Sequence, residues 1–498
     1  MKKLSLSKAA VKTIACVAAA AVAVTAAGLT AWSIHKKVPV KPSQTEEIYN
    51  IDTHQQGILR VGIISDTQLP PNKKLEEKQD AKYKKILLQA LELLRDQKVD
   101  MIIHAGDIGD MCSEFAYETY LEVYNQVFPE ENSRPVDLKV MGNHDTWFDT
   151  DWSTTPAKHK LYKKVFGVNP NRHIVVNGFH FIASSPDNTG NADGYSQTMK
   201  TWISDRLAKA KADTPAGNPI FLITHHNIPE TVYGGSEWGA EQIRQAVTGY
   251  DQVVSISGHS HYSILDERSL TQNQLTAFTT QSLSYVDMER NMFNAFNGFY
   301  DDNGTEKFRP DSCYSSVPVN AAKNPMCVIM NVTEKDTTVE RWDVLDKTEE
   351  KADRRWTLSY PLERGNFTYY NDARAAASEA PVFSSDASIV YNPSIASPTM
   401  KTALPGITFT AASHSDLVNS YTYELTNTQT QRTYRYHTYS DYYLGVEKMA
   451  KQVDWAIDPT LPSGNYTVKV YATESFGKRS EALTLNFDYQ QPMLVIDK

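Results

Sequence analysis

The chain has little cysteine, no excess of positive charge and a single long apolar run. Only 4 of its 498 residues are cysteine, which excludes a disulfide-rich scaffold. The formal net charge is −9 and the sequence shows no basic stripe, so it predicts no nucleic-acid binding patch. Because the apolar content is that of an ordinary globular protein and the length exceeds that of one domain, we expect two or three domains.

The long apolar run lies at the N-terminus and indicates export. Four lysines precede an uncharged run, rich in alanine and valine, over residues 13–34. This is the pattern of a secretory signal, but a run of about twenty residues can also span a bilayer. We therefore predict that residues 1–35 are a signal peptide or a signal anchor. The rest of the chain would be extracytoplasmic, either secreted or anchored to the cell membrane, with association at the cell wall or membrane surface left open.

Export also permits a disulfide. Cys313 and Cys327 are close enough in sequence to close one loop, but the spacing does not prove the pair. The pairing therefore stays open, and Cys112 is expected to be a buried thiol.

Composition and periodicity divide the exported part in two. Residues 36–56 are polar and predict an exposed linker. Over residues 57–365, short apolar runs alternate with amphipathic helical segments, which predicts an α/β domain. A second linker is predicted over residues 366–380. Residues 381–490 combine alternating strands with turn dipeptides and predict a smaller all-β, immunoglobulin-like sandwich.

Short polar motifs, most of them after apolar runs, mark the first of these domains. They are Asp66-Thr67-Gln68, Gly106-Asp107-Ile108-Gly109-Asp110, Gly142-Asn143-His144-Asp145, Thr224-His225-His226 and Gly258-His259-Ser260-His261. Open α/β sheets bind ligands at the carboxyl ends of their strands, so we expect these side chains to meet. Their oxygen and nitrogen atoms suit a pair of divalent metals, which is what hydrolysis of a phosphate ester needs.

In this order the motifs resemble those of the calcineurin-like metallophosphoesterase family, over about residues 57–362. The chain is similar to exported bacterial-type members that carry a C-terminal β-sandwich. The resemblance implies a four-layer α/β/β/α sandwich with a dinuclear metal site. It makes Asp66, Asp107 and His261 ligands of one metal. Asp107 would bridge to a second metal, completed by Asn143, His225 and His259, with His225 preferred over His226.

The resemblance also implies catalytic roles. His144 would lie near the leaving oxygen as a general acid or electrostatic stabiliser. Asp145 would orient His144, as carboxylates orient imidazoles elsewhere, and Asp110 would support the site from behind.

Position 68 departs from the family pattern, which usually has histidine there. Gln68 can still bind a metal through its carbonyl oxygen, as a harder and weaker ligand than imidazole. This choice favours Mn²⁺, Mg²⁺ or Ca²⁺ somewhat over Zn²⁺. We expect two divalent ions, with Mn²⁺ as the first choice and Fe, Zn²⁺, Mg²⁺ and Ca²⁺ as alternatives.

These features predict an exported phosphohydrolase that cleaves mono- or diesters of a small substrate. Attack by a metal-bridging hydroxide is the expected mechanism, since no motif offers a covalent nucleophile. The alternative is a cell-surface binding or adhesion protein on a degenerate phosphoesterase scaffold, which Gln68 and the appended β-sandwich motivate.

Overall fold

Two mixed β-sheets flanked by helices, followed by an all-β region, are seen in the computed structural model of the chain. It describes residues 41–147, 155–188, 194–235, 240–288, 298–300, 306–308, 320–396 and 403–492. The predicted signal or anchor over residues 1–35 and Cys313 lie outside these ranges. Cys327 is a free, buried thiol. Within the described ranges, no helix has the length and apolar character needed to cross a membrane.

The strands of the first 365 residues are numbered along the chain. They are β1 (Glu46–Tyr49), β2 (Leu59–Ile64), β3 (Met101–His104), β4 (Val136–Lys139), β5 (Arg172–Val176), β6 (Phe179–Ser184), β7 (Ile220–Thr224), β8 (Val253–Ser257), β9 (Leu270–Gln272), β10 (Thr276–Thr279), β11 (Gly298–Tyr300), β12 (Glu306–Phe308), β13 (Met326–Val332), β14 (Asp336–Asp343), β15 (Thr348–Glu350) and β16 (Trp356–Ser359).

The helices and the remaining strands complete the described elements. The helices are α1 (Lys73–Lys78), α2 (Lys82–Asp96), α3 (Glu114–Val127), α4 (Asn143–Trp147), α5 (Thr155–Phe166), α6 (Gln197–Asp213), α7 (Glu241–Val247) and α8 (Asn371–Ala377). The C-terminal strands are β17 (Ile389–Ala396), β18 (Ala403–Thr410), β19 (Ser420–Asn427), β20 (Thr433–Tyr439), β21 (Gln452–Ala456), β22 (Gly464–Thr473) and β23 (Leu483–Tyr489).

Parallel strands form the centre of both large sheets. The first sheet has the order β15-β14-β13-β2-β3-β4, in which β2, β3 and β4 run parallel. The second has the order β1-β5-β6-β7-β8-β10-β9, in which β6, β7, β8 and β10 run parallel. Strands β2, β3, β7 and β8 are buried along their whole length, as expected for strands covered on both faces.

Neighbouring residues of one strand enter different apolar clusters. On β3, Ile103 joins a cluster that also contains residues of the second sheet, such as Phe181. Ile102 joins another cluster, which holds Leu87 of α2 and Tyr120 of α3. The second sheet has its own helical cover from α6 and α7. Since adjacent side chains of a strand point to opposite faces, the first sheet packs on the second sheet on one side and on helices on the other. The predicted α/β fold is confirmed.

Part of the predicted exposed linker over residues 36–56 forms the edge strand β1 instead. Strand β1 pairs in parallel with β5. Arg172 forms an ion pair with Glu47 at 2.6 Å, and Trp202 Nε1 donates a hydrogen bond to Ser43 O at 2.8 Å. Backbone pairing and ion pairs hold this segment, rather than a buried apolar face, so the linker prediction was wrong for residues 46–49. The second predicted linker, residues 366–380, likewise contains α8.

The C-terminal region is all-β, as predicted. Its described strands form the sheets β17-β18-β21 and β20-β19-β22-β23, with antiparallel neighbours. Aromatic side chains dominate the apolar core, where Tyr423 stacks on Trp455 with ring centroids 4.0 Å apart. We refer to residues 381–490 as the C-terminal β-region.

The C-terminal β-region packs directly on the α/β domain. Glu267 accepts hydrogen bonds from Arg341 Nη1 at 2.9 Å and from Lys351 Nζ at 2.5 Å. Lys351 also pairs with Asp416 of the β-region. Leu417, Tyr442 and Tyr443 of the β-region belong to the same apolar cluster that lies between the two large sheets. The boundary therefore combines apolar packing with buried charges.

Glu267 is expected to make folding stability depend on acid pH. Burial raises the pKa of Glu267, but Lys351 and Arg341 outweigh burial and lower it from 4.5 to about 2. A lowered folded pKa means that the carboxylate adds stability above about pH 4.5, and that this stability is lost as the pH falls through about 2. We expect Glu267→Gln to lower the free energy of unfolding at pH 7 by roughly 3 kcal/mol.

The test is denaturant unfolding of both proteins at a series of pH values. The difference between wild type and Glu267→Gln should shrink as the pH falls from 5 towards 2. The exposed Glu118 provides the control, since Glu118→Gln should follow the wild-type curve throughout. A difference for Glu267→Gln that does not change with pH would contradict the linkage.

Candidate metal centre

The five sequence motifs meet where the carboxyl ends of the parallel strands of both sheets converge. Asp66, Asp107 and Asn143 follow β2, β3 and β4, whereas His225 and His259 follow β7 and β8. Contacts cross between the sheets: His225 Nε2 lies 3.3 Å from Asp107 Oδ2, and His259 N donates to Asp66 Oδ2 at 3.2 Å. The motif residues therefore form one buried cluster.

Asp107 lies at the centre of this cluster. Two groups of side chains have the geometry to hold a cation, with ligand atoms within 4.8 Å of one another. One group is Asp107, His225 and His259, and the other is Asp66, Asp107 and His261. Because Asp107 belongs to both, its carboxylate could bridge two metal ions.

Backbone carbonyls orient three of the imidazoles. The Nδ1 atoms of His225, His261 and His144 lie 2.9, 3.0 and 2.8 Å from the carbonyl oxygens of Ala105, Tyr285 and Asp110. A carbonyl oxygen can only accept, so each Nδ1 carries the proton. In the neutral imidazole this leaves the Nε2 lone pair directed at the carboxylates, the orientation that metal-binding histidines need.

The electrostatics of the cluster fit a bound cation. Nε2 of His225 faces Asn143 Oδ1 at 3.0 Å and Asp107 Oδ2 at 3.3 Å, so with a neutral imidazole three acceptor atoms converge. These three acceptor atoms repel one another unless a cation lies between them. In the metal-free protein, that cation is a proton on His225 Nε2. Burial lowers the pKa of His225, but the charges of Asp107 and Asp66 raise it to about 9. The residues present therefore suit a divalent cation.

Backbone strain marks the same residues. Five non-glycine residues of the cluster have φ between 48° and 70°: Asp66, Gln68, Asp107, His259 and His261. This left-handed conformation costs an ordinary residue of order 1 kcal/mol, and it persists where the surroundings fix a side chain in a required direction. Here each strained residue is a predicted metal ligand.

Glycines of three motifs give the ligands room. A Cβ at Gly106 would lie 2.4 Å from His225 Nδ1, and one at Gly142 would lie 2.0 Å from Asp107 Oδ1. At Gly258 the nearest atoms would be Ser65 Oγ at 2.1 Å and Asp66 Oδ2 at 2.6 Å. Any other residue at these positions would displace a side chain of the cluster or its immediate support.

Gln68 lies at the edge of the cluster, beside a cavity. Its Oε1 accepts a hydrogen bond from Ser284 Oγ at 2.9 Å, and the Tyr285 hydroxyl also bonds to Gln68. The cavity has a volume of about 150 Å³ and is lined by Gln68, Gln79, Tyr83, Asp110, His144 and Tyr285. The carbonyl oxygen of Gln68 is thus held by the same loop that contacts Asp66 and His261, while the role of Gln68 as a ligand stays a prediction.

Asp145 does not orient His144, so that prediction was wrong. Its carboxylate accepts hydrogen bonds from the backbone nitrogens of Ile108, Gly109 and Gly142 at 2.9–3.1 Å. Asp145 therefore joins the loop of Asp107 to the loop of Asn143. Asp110 holds His144 instead, through its backbone oxygen at 2.8 Å and its Oδ1 at 3.5 Å. His144 and Asp145 are consecutive residues in the first turn of α4, where neighbouring side chains point about 100° apart.

The sequence analysis missed the loop that follows β10. The sequence predicts a closing strand over residues 276–284, but β10 ends at Thr279, and Ser282, Ser284 and Tyr285 lie in a loop. Ser282 Oγ donates to Asp66 O at 3.1 Å, and the Tyr285 ring packs on His261 with centroids 4.3 Å apart. The motifs of the sequence do not mark this loop. Its place follows from the parallel pairing of β10 with β8, which brings the end of β10 to the cluster.

Two other histidines lie behind the cluster. The ring of His226 packs against His259, with centroids 4.4 Å apart, and burial lowers its pKa to about 3. It is His225, rather than His226, that contacts Asp107. His104 bonds through Nε2 to Thr67 Oγ1 at 2.5 Å and so supports the first motif from below.

Comparison with known proteins identifies one matching family model. The model of the calcineurin-like phosphoesterases matches residues 59–263, a range that contains all five motifs. The chain is similar to a dimetal phosphatase from Danio rerio, with 11% identity and a TM-score of 0.36, covering 61% of this chain and 99% of that one. It is also similar to a purple acid phosphatase from yellow lupin (Lupinus luteus) seeds, with 13% identity and a TM-score of 0.36, covering 62% of this chain and 55% of that one. The search of curated proteins gives no match.

Proposed function

We propose that the chain is an exported, metal-dependent phosphohydrolase of phosphate mono- or diesters, because residues 59–263 form a domain that matches the calcineurin-like phosphoesterase family. The observation that carries the proposal is the position of Asp107, which is shared by two groups of potential metal ligands. A single carboxylate between two histidine-containing groups is the arrangement that a two-metal hydrolase requires.

The ligands divide between two ions. Asp66, Gln68, Asp107 and His261 would hold one divalent ion, and Asp107, Asn143, His225 and His259 would hold the other. When bound, two such ions activate water as the nucleophile and neutralise the negative phosphate oxygens. The oxygen-rich first site, which includes an amide in place of an imidazole, favours Mn²⁺, with Fe, Zn²⁺, Mg²⁺ and Ca²⁺ as alternatives.

His144 is the proposed acid for the leaving oxygen. It lines the cavity beside Gln68, and its Nε2 lies 4.0 Å from Asp107 Oδ2. Burial lowers the pKa of His144, but Asp107 and the hydrogen bond to Asp110 raise it to about 10. Cations bound at Asp107 would offset its charge and bring that pKa towards neutrality, where a general acid works best. Asp110 fixes the imidazole, and Asp145 fixes the two loops that carry Asp107 and Asn143.

The architecture and the location of the protein are part of the proposal. Apolar clusters between the two large sheets and beneath the helices of each sheet support a four-layer α/β/β/α sandwich. The two antiparallel sheets of the C-terminal β-region support an immunoglobulin-like sandwich. Export rests on the sequence of residues 1–35, which favours secretion or membrane anchoring. The proposed partner is a small phosphate ester, with association at the cell wall or membrane surface.

Metal removal tests the proposed function. We expect the purified protein to hydrolyse p-nitrophenyl phosphate, bis-p-nitrophenyl phosphate or both in the presence of Mn²⁺. Chelation by EDTA should lower the rate at least ~100-fold, and added Mn²⁺ should restore it, because the nucleophile depends on the metals. Release of p-nitrophenolate is the measurement.

A panel of nucleotides extends the same assay to natural esters. If neither nitrophenyl ester nor any nucleotide is turned over in a metal-dependent way, the hydrolase proposal fails. The alternative of a surface-binding protein on a degenerate scaffold would then be preferred.

A further inference from the structure

The loop of residues 281–287, here called the site loop, holds several residues of the candidate metal centre. Ser284 Oγ donates to Gln68 Oε1 at 2.9 Å, and Ser282 Oγ donates to Asp66 O at 3.1 Å. Tyr285 O accepts from His261 Nδ1 at 3.0 Å, and Asp287 N donates to His261 O at 3.0 Å. The site loop thus contacts the predicted ligands of the first metal, including the unusual Gln68.

The other side of the site loop is held by a short segment that precedes β13. Gln281 Nε2 donates to the backbone oxygen of Asn324 at 2.5 Å, and Val286 N donates to Ala321 O at 2.9 Å. Gln281 is fully buried and Asn324 is 1% exposed. These polar groups cannot exchange their partners for water, so the position of this segment determines the position of the site loop.

The same segment is fixed by the C-terminal β-region. The side-chain amide of Asn324 donates through Nδ2 to Tyr443 O at 3.0 Å. Tyr443 is itself buried in the apolar cluster between the sheets. Nearby, Lys448 of the β-region pairs with the buried Asp343 at 2.7 Å, which keeps this face of the β-region against the α/β domain.

We propose that the C-terminal β-region positions the first metal site, acting through Tyr443, Asn324 and Gln281 on the site loop. The proposal rests on the proposed function, since it assigns these residues a role toward the metal ligands. Groups behind a metal ligand fix its direction, and their loss typically weakens metal binding about 10–100-fold. Asn324 and Gln281 are accordingly positioning residues. Through them, the C-terminal β-region fixes the positions of the ligands of the first metal.

Gln281→Ala tests the link between the segment and the site loop. The full-length protein is stripped with EDTA and titrated with Mn²⁺ by calorimetry, which reports affinity and stoichiometry without any substrate. We expect the weaker of two Mn²⁺ sites to lose affinity about 10-fold. The matched control is Gln272→Ala, because Gln272 is equally buried and bonds to Thr276, Thr368 and Tyr369 instead. Gln272→Ala should leave the Mn²⁺ affinity unchanged.

Asn324→Ala tests the link to the C-terminal β-region. It removes the bond to Tyr443 O but keeps the backbone oxygen that Gln281 contacts, so a change in Mn²⁺ affinity must arise through the β-region. The matched control is Asn419→Ala, since the buried Asn419 also joins the two regions, through Asp266 Oδ2 at 3.1 Å. Asn324→Ala should weaken the same Mn²⁺ site and Asn419→Ala should not. The double variant with Gln281→Ala should be no weaker than Gln281→Ala alone.

The four affinities test two links separately: the link from the segment before β13 to the site loop, and the link from that segment to the C-terminal β-region. Equal affinities for Asn324→Ala and Asn419→Ala would overturn the role of the β-region, and equal affinities for Gln281→Ala and Gln272→Ala would overturn the role of the site loop. If Gln281→Ala does not fold, the isosteric Gln281→Glu decides, because its charged form lacks the donor to Asn324 O. A wild-type protein that binds neither Mn²⁺ nor any of the alternative ions would overturn the proposed function itself. Normal wild-type binding with unchanged variants overturns this inference alone.

Discussion

Asp107→Asn is expected to lower kcat/KM by at least ~10³-fold, because an interaction with two cations contributes several kcal/mol to the transition state. Asparagine keeps the shape of the side chain and can still accept the hydrogen bond from His144 N, which Asp107 Oδ1 now receives at 2.9 Å. It lacks the negative charge that holds two divalent ions together. We therefore expect the bound metal, measured by elemental analysis, to fall from two ions to one or none.

The control separates this effect from a loss of folding. Asp100 is also buried and accepts hydrogen bonds from the backbone nitrogens of His54 and Arg60 at 2.8 and 2.9 Å, at the end of β3 opposite the motif residues. Asp100→Asn should reduce thermal stability and leave metal content and kcat/KM near wild type. Asp107→Asn should instead lose bound metal and activity. It should also destabilise the metal-free protein, because burial raises the pKa of Asp107 but His225 and His144 outweigh burial and hold it well below its usual value. Retention of more than a tenth of the activity by Asp107→Asn would exclude a bridging role.

The meeting of the motifs could be predicted because it depends on strands rather than on loops. The apolar runs that end at Asp66 and Asp107 became β2 and β3, paired in parallel, and the run before His225 became β7. Parallel strands in one sheet bring their carboxyl ends together whatever the connections contain. This brings Asp66 and Asp107 together within the first sheet. His225 follows β7 of the second sheet and reaches them because the two sheets pack face to face.

The residues that escaped prediction are held by contacts that leave no pattern in the sequence. Strand β1 has no alternating apolar face, and its ion pair from Glu47 to Arg172 joins residues far apart in the chain. The direction of the Asp145 side chain depends on the residue at which α4 begins. A helix of five residues is too short to show a helical period in the sequence, so this start could not be predicted. The site loop mixes polar residues with Leu283, Tyr285 and Val286 and shows no regular period, and the parallel pairing of β10 with β8 places it beside His261.

The contact between the α/β domain and the C-terminal β-region could not be predicted from the sequence either. A change of composition near residue 366 predicted a linker between an α/β domain and a β-region, without any contact between them. In the structure Lys351 pairs with both Glu267 and Asp416, and Asn324 reaches Tyr443. Single buried ion pairs and amide bonds of this kind involve residue types that are usually exposed, so their positions cannot be read from burial patterns.

Gly142→Ala is expected to inactivate the protein by adding one methyl group. The backbone at Gly142 does not lie in the left-handed region, so alanine is allowed there by its own conformation. The obstacle is Asp107, whose Oδ1 would lie 2.0 Å and whose backbone nitrogen would lie 2.6 Å from the new Cβ. A rotated side chain can relieve the first contact but not the second, so the strained loop of Asp107 must move. A displacement of about 1 Å at a catalytic centre can cost 10²-fold in rate, and we expect at least that loss in kcat/KM together with loss of metal.

Gly365→Ala is the control for this substitution, because its Cβ would meet nothing within 4 Å. It should match wild type in melting temperature, metal content and kcat/KM. Gly142→Ala should instead lower the melting temperature of the metal-free protein, since overpacking a buried site costs about 1–3 kcal/mol. Asp107→Asn should destabilise the metal-free fold as well, but by removing a charge rather than by adding volume. The contrary result is a Gly142→Ala variant that keeps both metals and the full rate. The loop of Asp107 would then be free to move, and the bridging role of Asp107 would not depend on the close approach of the Asp107 and Asn143 motifs.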